Sequence, residues 1–362
     1  MIKKLIVGLT DLAGFSGSCC STPFIKHEPL VNQLDAPTYI DIGVDKAKTG
    51  IGLKCEQVDR ITTQGYSFYT CHDDIDFDLV KRMELVAAVK QFTRDNLGFK
   101  DTDNYKVYKN NKDEKATTYY RLYVTGKFNI PETWDGHRVW IEVDSQHYVD
   151  IGEGKLFSSA VDKLIDEKKN YISKGYDTYW RSFSSFEGGC NLSPEFFEDS
   201  IADQISTIIH EDFHCQTDKQ SEIEESMATI VGMTGAVEFT KEYFGEGSKE
   251  HKLAQEWLQS WLTYSRFVGK YYYELEGLYA KEMPLEEKMR EKRVIQEQAE
   301  EERSWLNNAS IWDKIPYTKN FPLAYQIYLK HPDMGELVKI LLASPKDEKG
   351  AVKYLENLLE KE

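Results

Sequence analysis

The amino-acid sequence predicts an α+β fold: a small antiparallel or mixed sheet beside a helical core, with a largely helical C-terminal half. Short runs of β-branched and aromatic residues between 117 and 183 are typical of strands. From residue 195 onward, apolar residues recur at helical spacing, and glycines and prolines separate the segments. The 22 Tyr, 17 Phe and 7 Trp among 362 residues indicate a packed protein rather than a disordered one.

The individual elements follow from these patterns. Strands are predicted at residues 38–44, 117–124, 138–143 and 176–183. Helices are predicted at residues 78–96, 156–174, 200–214, 222–244, 249–282 and 285–304, the last a charged, solvent-exposed helix. Prolines at 316, 322, 332 and 345 are expected to divide the remaining chain into short helices.

We expect one domain over residues 31–362, preceded by a leader at 1–30. The domain would consist of an α/β part (31–194), a pair of helices that form a site (195–245) and a helical part (246–362). In the leader, Lys3 and Lys4 precede an apolar run, as at the start of a signal peptide, and residues 16–19 loosely match a lipoprotein processing site. Asp11 interrupts the apolar run, so a short strand or an uncleaved leader is the alternative.

Charge and cysteine spacing exclude two classes of function. The net charge is −16 and no block of Lys and Arg is present, which argues against nucleic-acid binding. The six cysteines form no Cys-x-x-Cys pair, which argues against a cysteine-rich zinc site. Cys55 and Cys71 are a candidate disulfide if the protein is exported, and free thiols otherwise.

Residues 210–214 read His-Glu-Asp-Phe-His at the end of a helical apolar run. Residues four apart lie on one face of a helix, so His210 and His214 can direct two imidazoles at one metal ion. Neutral imidazole suits zinc, and Glu211 follows the first histidine directly, where its carboxylate can take a proton from zinc-bound water. The motif therefore predicts a site for one Zn²⁺ ion and calls for a third protein ligand.

The next helix supplies the candidate for that third ligand. Ser221 and Glu224 match a capping box, in which Glu224 would bond to the backbone at the helix start. Glu225 is left for the metal, and it shares a helix face with the small residues Ala228, Gly232 and Ala236, which let two helices approach closely. Glu222, Glu224 and Asp218 are the rival ligands, and an acidic first turn favoured by the helix dipole is the structural alternative.

With these two elements in place, the sequence resembles the bacterial putative aminopeptidases, zinc metallopeptidases of the gluzincin kind. The resemblance lies in residues 210–216, His-Glu-Asp-Phe-His-Cys-Gln, and in residues 224–229, Glu-Glu-Ser-Met-Ala-Thr. Weaker similarity extends from about residue 77 to 343 and includes residues 104–108, 175–179 and 307–309. The resemblance implies a zincin-like helical catalytic core, with His210, His214 and Glu225 as metal ligands and Glu211 as the catalytic carboxylate.

The chain departs from the family pattern at three places. Asp212 places a charge where metallopeptidase motifs have an uncharged residue, so we expect its side chain to point away from the metal, to solvent or to a basic partner. Glu224 stands where relatives have Asn, and residues 186–191 differ from relatives. Family members often carry a lipoprotein-type leader, which favours lipidation at Cys19 or Cys20 and a location in the cell envelope; a cytoplasmic location is the alternative.

The expected activity is hydrolysis of a peptide or protein substrate, with an aminopeptidase specificity implied by the resemblance. Tyr264 and Tyr272 are candidates for stabilising the oxyanion, with core packing as the alternative for each. The strand at 176–183 is expected to lie beside the motif helix and to bind an extended peptide by edge pairing. The rival hypotheses are a non-catalytic zinc-binding protein and an envelope interaction protein. No membrane attachment is expected beyond an N-terminal lipid.

Overall fold

The structure is a computed structural model that describes most of the chain from residue 58 onward. The described residues are 58–63, 66–71, 75–109, 117–131, 138–144, 150–151, 154–155, 159–185, 190–217 and 222–360. The predicted leader, the strand predicted at 38–44, and Cys19, Cys20 and Cys55 lie outside this set. Cys71 is disulfide-bonded, whereas its pairing with Cys55 stays a prediction.

Helices dominate the described residues and confirm the helical C-terminal half. They are α1 (Phe77–Asp95), α2 (Ser159–Ser173), α3 (Ile201–His214), α4 (Glu222–Phe244), α5 (Lys249–Tyr279), α6 (Leu285–Glu302), α7 (Asn308–Thr318), α8 (Phe321–Lys330), α9 (Met334–Ala343) and α10 (Glu348–Glu360). The six helices predicted individually agree with these bounds within three residues at each end. None of the described helices combines the length and the apolar character needed to cross a membrane.

One proline prediction is wrong, because Pro316 lies inside α7 instead of ending it. The helix continues to Thr318 because its start is fixed by a capping box between Asn307 and Ser310 and because all of its residues are buried. The other prolines do mark boundaries: Pro322 lies in the first turn of α8, Pro332 follows α8, and Pro345 follows α9.

The sheets of the described residues are antiparallel. Together with the helices they confirm the predicted α+β fold class. Strands β1 (Val58–Thr63) and β2 (Tyr66–Cys71) form a hairpin. Strands β3 (Thr117–Thr125), β4 (Arg138–Asp144) and β7 (Asp177–Ser185) form a sheet in the order β4–β3–β7, and β5 (Asp150–Ile151) pairs with β6 (Gly154–Lys155). Two isolated parallel bridges also join Tyr69 to Val107 and Tyr108 to Leu192.

The position of β7 differs from the prediction. We expected this strand beside the motif helix α3, but it packs chiefly against α7 and α2. It is the terminal strand of the three-stranded sheet, paired with β3 on one side. At the start of α7, Asn307 Nδ2 donates to the backbone carbonyl of Thr178 in β7 at 3.0 Å, and Asn308 Nδ2 lies within hydrogen-bond distance of the carbonyls of Gly126, Lys127 and Asn129 just after β3, so both strands are joined to α7.

A charge pair between Lys292 and Asp177 joins α6 to the start of β7. Lys292 of α6 is 4% exposed and its Nζ lies 2.7 Å from Asp177 Oδ2 at the start of β7. The same carboxylate oxygen accepts from the backbone N–H of Asn308. Helices α6 and α7 and strand β7 are thus held at one point, and α7 in turn contacts α4 where Ser226 Oγ donates to the Pro316 carbonyl at 2.6 Å.

Helix α3 begins with a side-chain cap and runs into the main core. Ser200 Oγ accepts from the backbone N–H of Asp203, which satisfies one of the free donors at the helix start. Ile205, Ile208 and Ile209 are almost fully buried in the larger of the two apolar clusters. The apolar face therefore anchors the helix, and the motif at its C-terminal end lies on a fixed scaffold.

Asp203, in the first turn of α3, makes stability depend on pH. Its carboxylate is 5% exposed, accepts from Ser200 Oγ at Oδ2, and has no hydrogen bond at Oδ1 within the described part of the chain. Burial raises the pKa of Asp203 from 3.8 to about 8, so the folded state favours the protonated acid. The folded state then binds more protons than the unfolded state between these two pH values, and its stability falls as pH rises through that window.

We expect Asp203→Asn to remove this decline. The free energy of unfolding of the wild type should fall relative to that of the variant by roughly 1 kcal/mol per pH unit between pH 4 and 8. Urea unfolding of both proteins at pH 5 and pH 8, in chelator so that metal binding does not contribute, measures the difference. An equal difference at both pH values would contradict it.

Candidate metal centre

The structure brings three of the predicted site residues together. His210 Nε2 and His214 Nε2 lie 3.1 Å apart, and Glu225 Oε2 lies 3.4 Å from the first and 3.5 Å from the second. Among the described residues, this is the group of His, Cys, Asp and Glu side chains whose ligand atoms converge, all within 4.8 Å of one another. The two histidines come from the last turn of α3 and the glutamate from the first turn of α4.

The spacing fits a tetrahedral metal ion. Ligand atoms bound at 2.0–2.2 Å in tetrahedral geometry are separated by about 3.3–3.6 Å. The two separations that involve Glu225, 3.4 and 3.5 Å, lie within this range, and the 3.1 Å between the histidine nitrogens lies just below it. Two imidazoles and one carboxylate also form the ligand set of a catalytic zinc site, which leaves a fourth position for water or substrate.

The protonation states also suit a metal ion. Burial lowers the pKa of His210, which favours the neutral imidazole that a metal requires. Burial opposes ionisation of Glu225, but hydrogen bonds with His210 and His214 outweigh it and hold the pKa of this carboxyl well below its usual range. The site therefore presents two imidazoles and an ionised carboxylate.

Close approach of α3 and α4 makes this arrangement possible. A Cβ atom at Gly232 would lie 2.6 Å from the Ser206 carbonyl oxygen and 3.2 Å from His210 Cβ. Ala228 and Ala236, one turn away on either side, are fully buried. The small-residue face predicted for α4 thus lies against α3, and this contact brings Glu225 to the two histidines.

Glu224 has a contact that the sequence analysis did not predict. The capping interpretation assigned its carboxylate to the backbone near Ser221, a residue outside the described set. In the structure Glu224 is 5% exposed and its Oε1 lies 2.9 Å from His214 Nδ1. The carboxylate accepts from Nδ1–H and so directs Nε2 of His214 toward Glu225 and His210. This contact was not predicted from the sequence because a capping pattern is local, whereas the contact joins two helices.

The structure describes only some of the other carboxylates considered as the third ligand. Asp218 lies outside the described residues, and the side chain of Glu222 does too. Glu224 contacts His214 on the Nδ1 side, opposite the ring nitrogen that faces Glu225. Of the four carboxylates considered from the sequence, Glu225 is therefore the one that the structure shows with the two histidines.

Glu211 follows His210 in the sequence, and its carboxylate contacts a residue outside the group of three. Its side chain is 5% exposed, and Oε2 lies 3.7 Å from Cys190 Sγ. The backbone carbonyl of Glu211 accepts from Asn104 Nδ2 at 3.2 Å. Cys190 is itself held by its carbonyl, which accepts from the backbone N–H of Tyr105. The segments around residues 105 and 190 thus both contact Glu211, the first at its backbone carbonyl and the second at its carboxylate.

Asp212 points to a basic partner, as predicted. Its carboxylate oxygens lie 2.8 and 2.6 Å from Lys90 Nζ of α1, and both side chains are almost fully buried. Thr102 Oγ1 donates a further hydrogen bond to Asp212. Burial raises the pKa of Asp212, and Lys90, Thr102 and Asn104 oppose that rise by stabilising the charged form. The unusual charge inside the motif is thereby compensated by a residue far away in the sequence.

The two tyrosines considered for oxyanion stabilisation have packing contacts. The Tyr264 ring lies 5.7 Å from Trp261 and 6.3 Å from Phe267, with the Arg303 guanidinium 5.0 Å above it, and burial raises the pKa of Tyr264 to about 12. Tyr272 is 6% exposed and lies 5.1 Å from the Tyr273 ring. These contacts favour the packing alternative for both residues.

We expect Gly232→Ala to separate α3 from α4. The added methyl would meet a backbone oxygen that cannot rotate away, so the substitution should cost about 1–3 kcal/mol of unfolding free energy and weaken Zn²⁺ binding. Gly277→Ala in α5 is the matched control, because no atom lies within 4 Å of its new Cβ. Urea unfolding and competition with a chromophoric chelator measure the two effects. A Gly232→Ala protein as stable as the control would contradict the close-packing argument.

We expect Glu224→Ala to weaken Zn²⁺ binding by about 10- to 100-fold, because His214 loses the acceptor that fixes its ring. Glu224→Gln keeps an oxygen acceptor without the charge and should lose less. Glu242→Gln, an exposed carboxylate on the same helix, serves as the control. Chelator competition gives the affinities, and equal affinity for all variants would exclude a supporting role.

Comparison with known protein families agrees with part of the sequence resemblance. The family described as "Putative aminopeptidase" matches residues 166–323, which is less than half of the chain. The match covers α3 and α4 and so includes His210, Glu211, His214 and Glu225. No curated protein and no solved structure matches the chain. The segment that holds the candidate metal centre is therefore similar to an aminopeptidase family.

Proposed function

We propose that the protein is a zinc-dependent peptidase with its active centre at the junction of α3 and α4. The convergence of His210 Nε2, His214 Nε2 and Glu225 Oε2, with Glu211 beside them, carries the proposal. The similarity of residues 166–323 to an aminopeptidase family supports the reaction class. The presence of Glu211 favours catalysis over a purely structural metal site, which would not need a further carboxylate.

The ligand set would hold one Zn²⁺ ion, and a bound zinc ion supplies Lewis acidity that activates water and polarises a carbonyl. His210, His214 and Glu225 would bind the metal, and Glu224 would keep His214 in the tautomer that leaves Nε2 available. Glu211 would accept the proton of the attacking water and deliver it to the leaving amine. Its burial keeps bulk water away from this carboxylate.

Two parts of the proposal rest on the sequence alone. A lipid-anchored location in the cell envelope follows from the leader pattern at residues 1–30, and a cytoplasmic location is the alternative. The aminopeptidase specificity follows from the family similarity. Comparison of peptides that have a free α-amine with the same peptides blocked by acetylation tests this specificity, since an aminopeptidase requires the free amine.

We expect Glu211→Gln to lower kcat by about 10²- to 10⁴-fold on a peptide library while Zn²⁺ content stays at one ion per chain, because a proton acceptor is lost but no ligand. Glu242→Gln is the matched control for a carboxylate removed from the surface. Mass-spectrometric detection of cleavage products and metal analysis give the two readouts.

The same experiment separates the rival hypotheses. Bound Zn²⁺ without cleavage by the wild type indicates the non-catalytic zinc protein. Absence of stoichiometric Zn²⁺ after gentle purification indicates that the motif is coincidental and favours the interaction protein. Equal cleavage by wild type and Glu211→Gln excludes Glu211 as the proton acceptor.

A further inference from the structure

A cationic cleft lies outside the candidate metal centre, between the middle of α5 and the C-terminal end of α6. Its volume is about 510 Å³, within the range of natural ligand pockets, and it is lined by Thr263, Arg266, Phe267, Lys270, Glu302 and Arg303. Three of these side chains are positively charged and one is negatively charged. The net charge of the whole chain is −16, so this local excess of positive charge runs against the overall balance.

The one acidic residue of the cleft is already engaged. Glu302 Oε2 lies 2.5 Å from Lys270 Nζ and accepts from Tyr271 Oη at 2.8 Å. Lys270 also donates to Tyr271 Oη at 3.2 Å. These contacts fix the end of α6 against α5 and leave the charge of Glu302 balanced by Lys270.

The two arginines, in contrast, keep their charges available. Within the described part of the chain, neither the Arg266 nor the Arg303 guanidinium has a carboxylate partner, and both residues are exposed. Arg303 lies over the Tyr264 ring, which limits the positions that its guanidinium can take. Arg266 lies one turn from Thr263 and Lys270 on the same face of α5.

We propose that this cleft binds an acidic segment of the peptide substrate, an inference that rests on the proposed peptidase function. Two guanidinium groups can each bind a carboxylate through paired hydrogen bonds. The cleft has room for more than a single small anion, and Phe267 offers an apolar wall to the methylenes of a glutamate side chain. The net charge of −16 repels such a peptide from the chain as a whole, whereas the local positive charge of the cleft attracts it.

A binding measurement in chelator tests the cleft apart from catalysis. The probe is a fluorescent peptide of alternating Glu and Gly, acetylated and amidated at its ends, and the same peptide with Gln is its neutral counterpart. The full chain is compared with the double variant Arg266→Gln/Arg303→Gln. The matched control is Arg290→Gln/Arg293→Gln, which removes the same charge from the exposed side of α6. Fluorescence anisotropy gives the affinities, and thermal unfolding by circular dichroism shows that the variants are folded.

We expect the Glu peptide to bind the wild type at least about tenfold more tightly than it binds Arg266→Gln/Arg303→Gln, and the control to stay within about twofold of the wild type. Equal losses in the two double variants, or equal binding of the Glu and Gln peptides, would overturn the inference. Displacement of the probe by inorganic phosphate as efficiently as by unlabelled peptide, at equal anion concentration, would also overturn it in favour of a small-anion site. Failure here leaves the proposed function intact, because that function is judged by Zn²⁺ content and by the Glu211→Gln comparison on the peptide library.

Discussion

Helices α3 and α4 meet where Gly232 lies against the Ser206 backbone and His210 Cβ, and the candidate centre depends on this contact. A glutamate side chain is short, so Glu225 reaches the two histidines only if the helix backbones are close. Burial of the apolar faces of both helices in the main core supplies the free energy for that approach. Ser226 Oγ donates to the Pro316 carbonyl and so joins the start of α4 to α7.

The acidic side chains near this contact form two groups that face different partners. On the ligand side, Glu224 and Glu225 face the imidazoles of His214 and His210, and this concentration of negative charge suits a divalent cation. Asp212 of α3 instead faces Lys90 of α1, which neutralises it within the protein. The acidic residues at the start of α4 thus contact the histidines, whereas the acidic residue inside the motif on α3 does not.

Much of the helical architecture could be predicted from the sequence because apolar periodicity and glycine or proline boundaries are local signals. The convergence of His210, His214 and Glu225 could also be predicted, since it follows from the four-residue spacing and from the small-residue face of α4. Lys90 as the partner of Asp212 could not, because the two residues meet only through the packing of α1 on α3. For the same reason the contact of Glu224 with His214 was not predicted, because the local sequence matched a capping pattern. The packing of β7 against α7 and α2, and not beside α3, was also not predicted.

The Lys90–Asp212 pair also limits how the motif can change in evolution. Each charge is almost fully buried, so loss of either one leaves an uncompensated charge in the core beside the candidate centre. Replacement of one member alone would therefore give a destabilised protein. Any homologue with an uncharged residue at the position of Asp212 should therefore also lack the lysine on α1, and the two positions should change together.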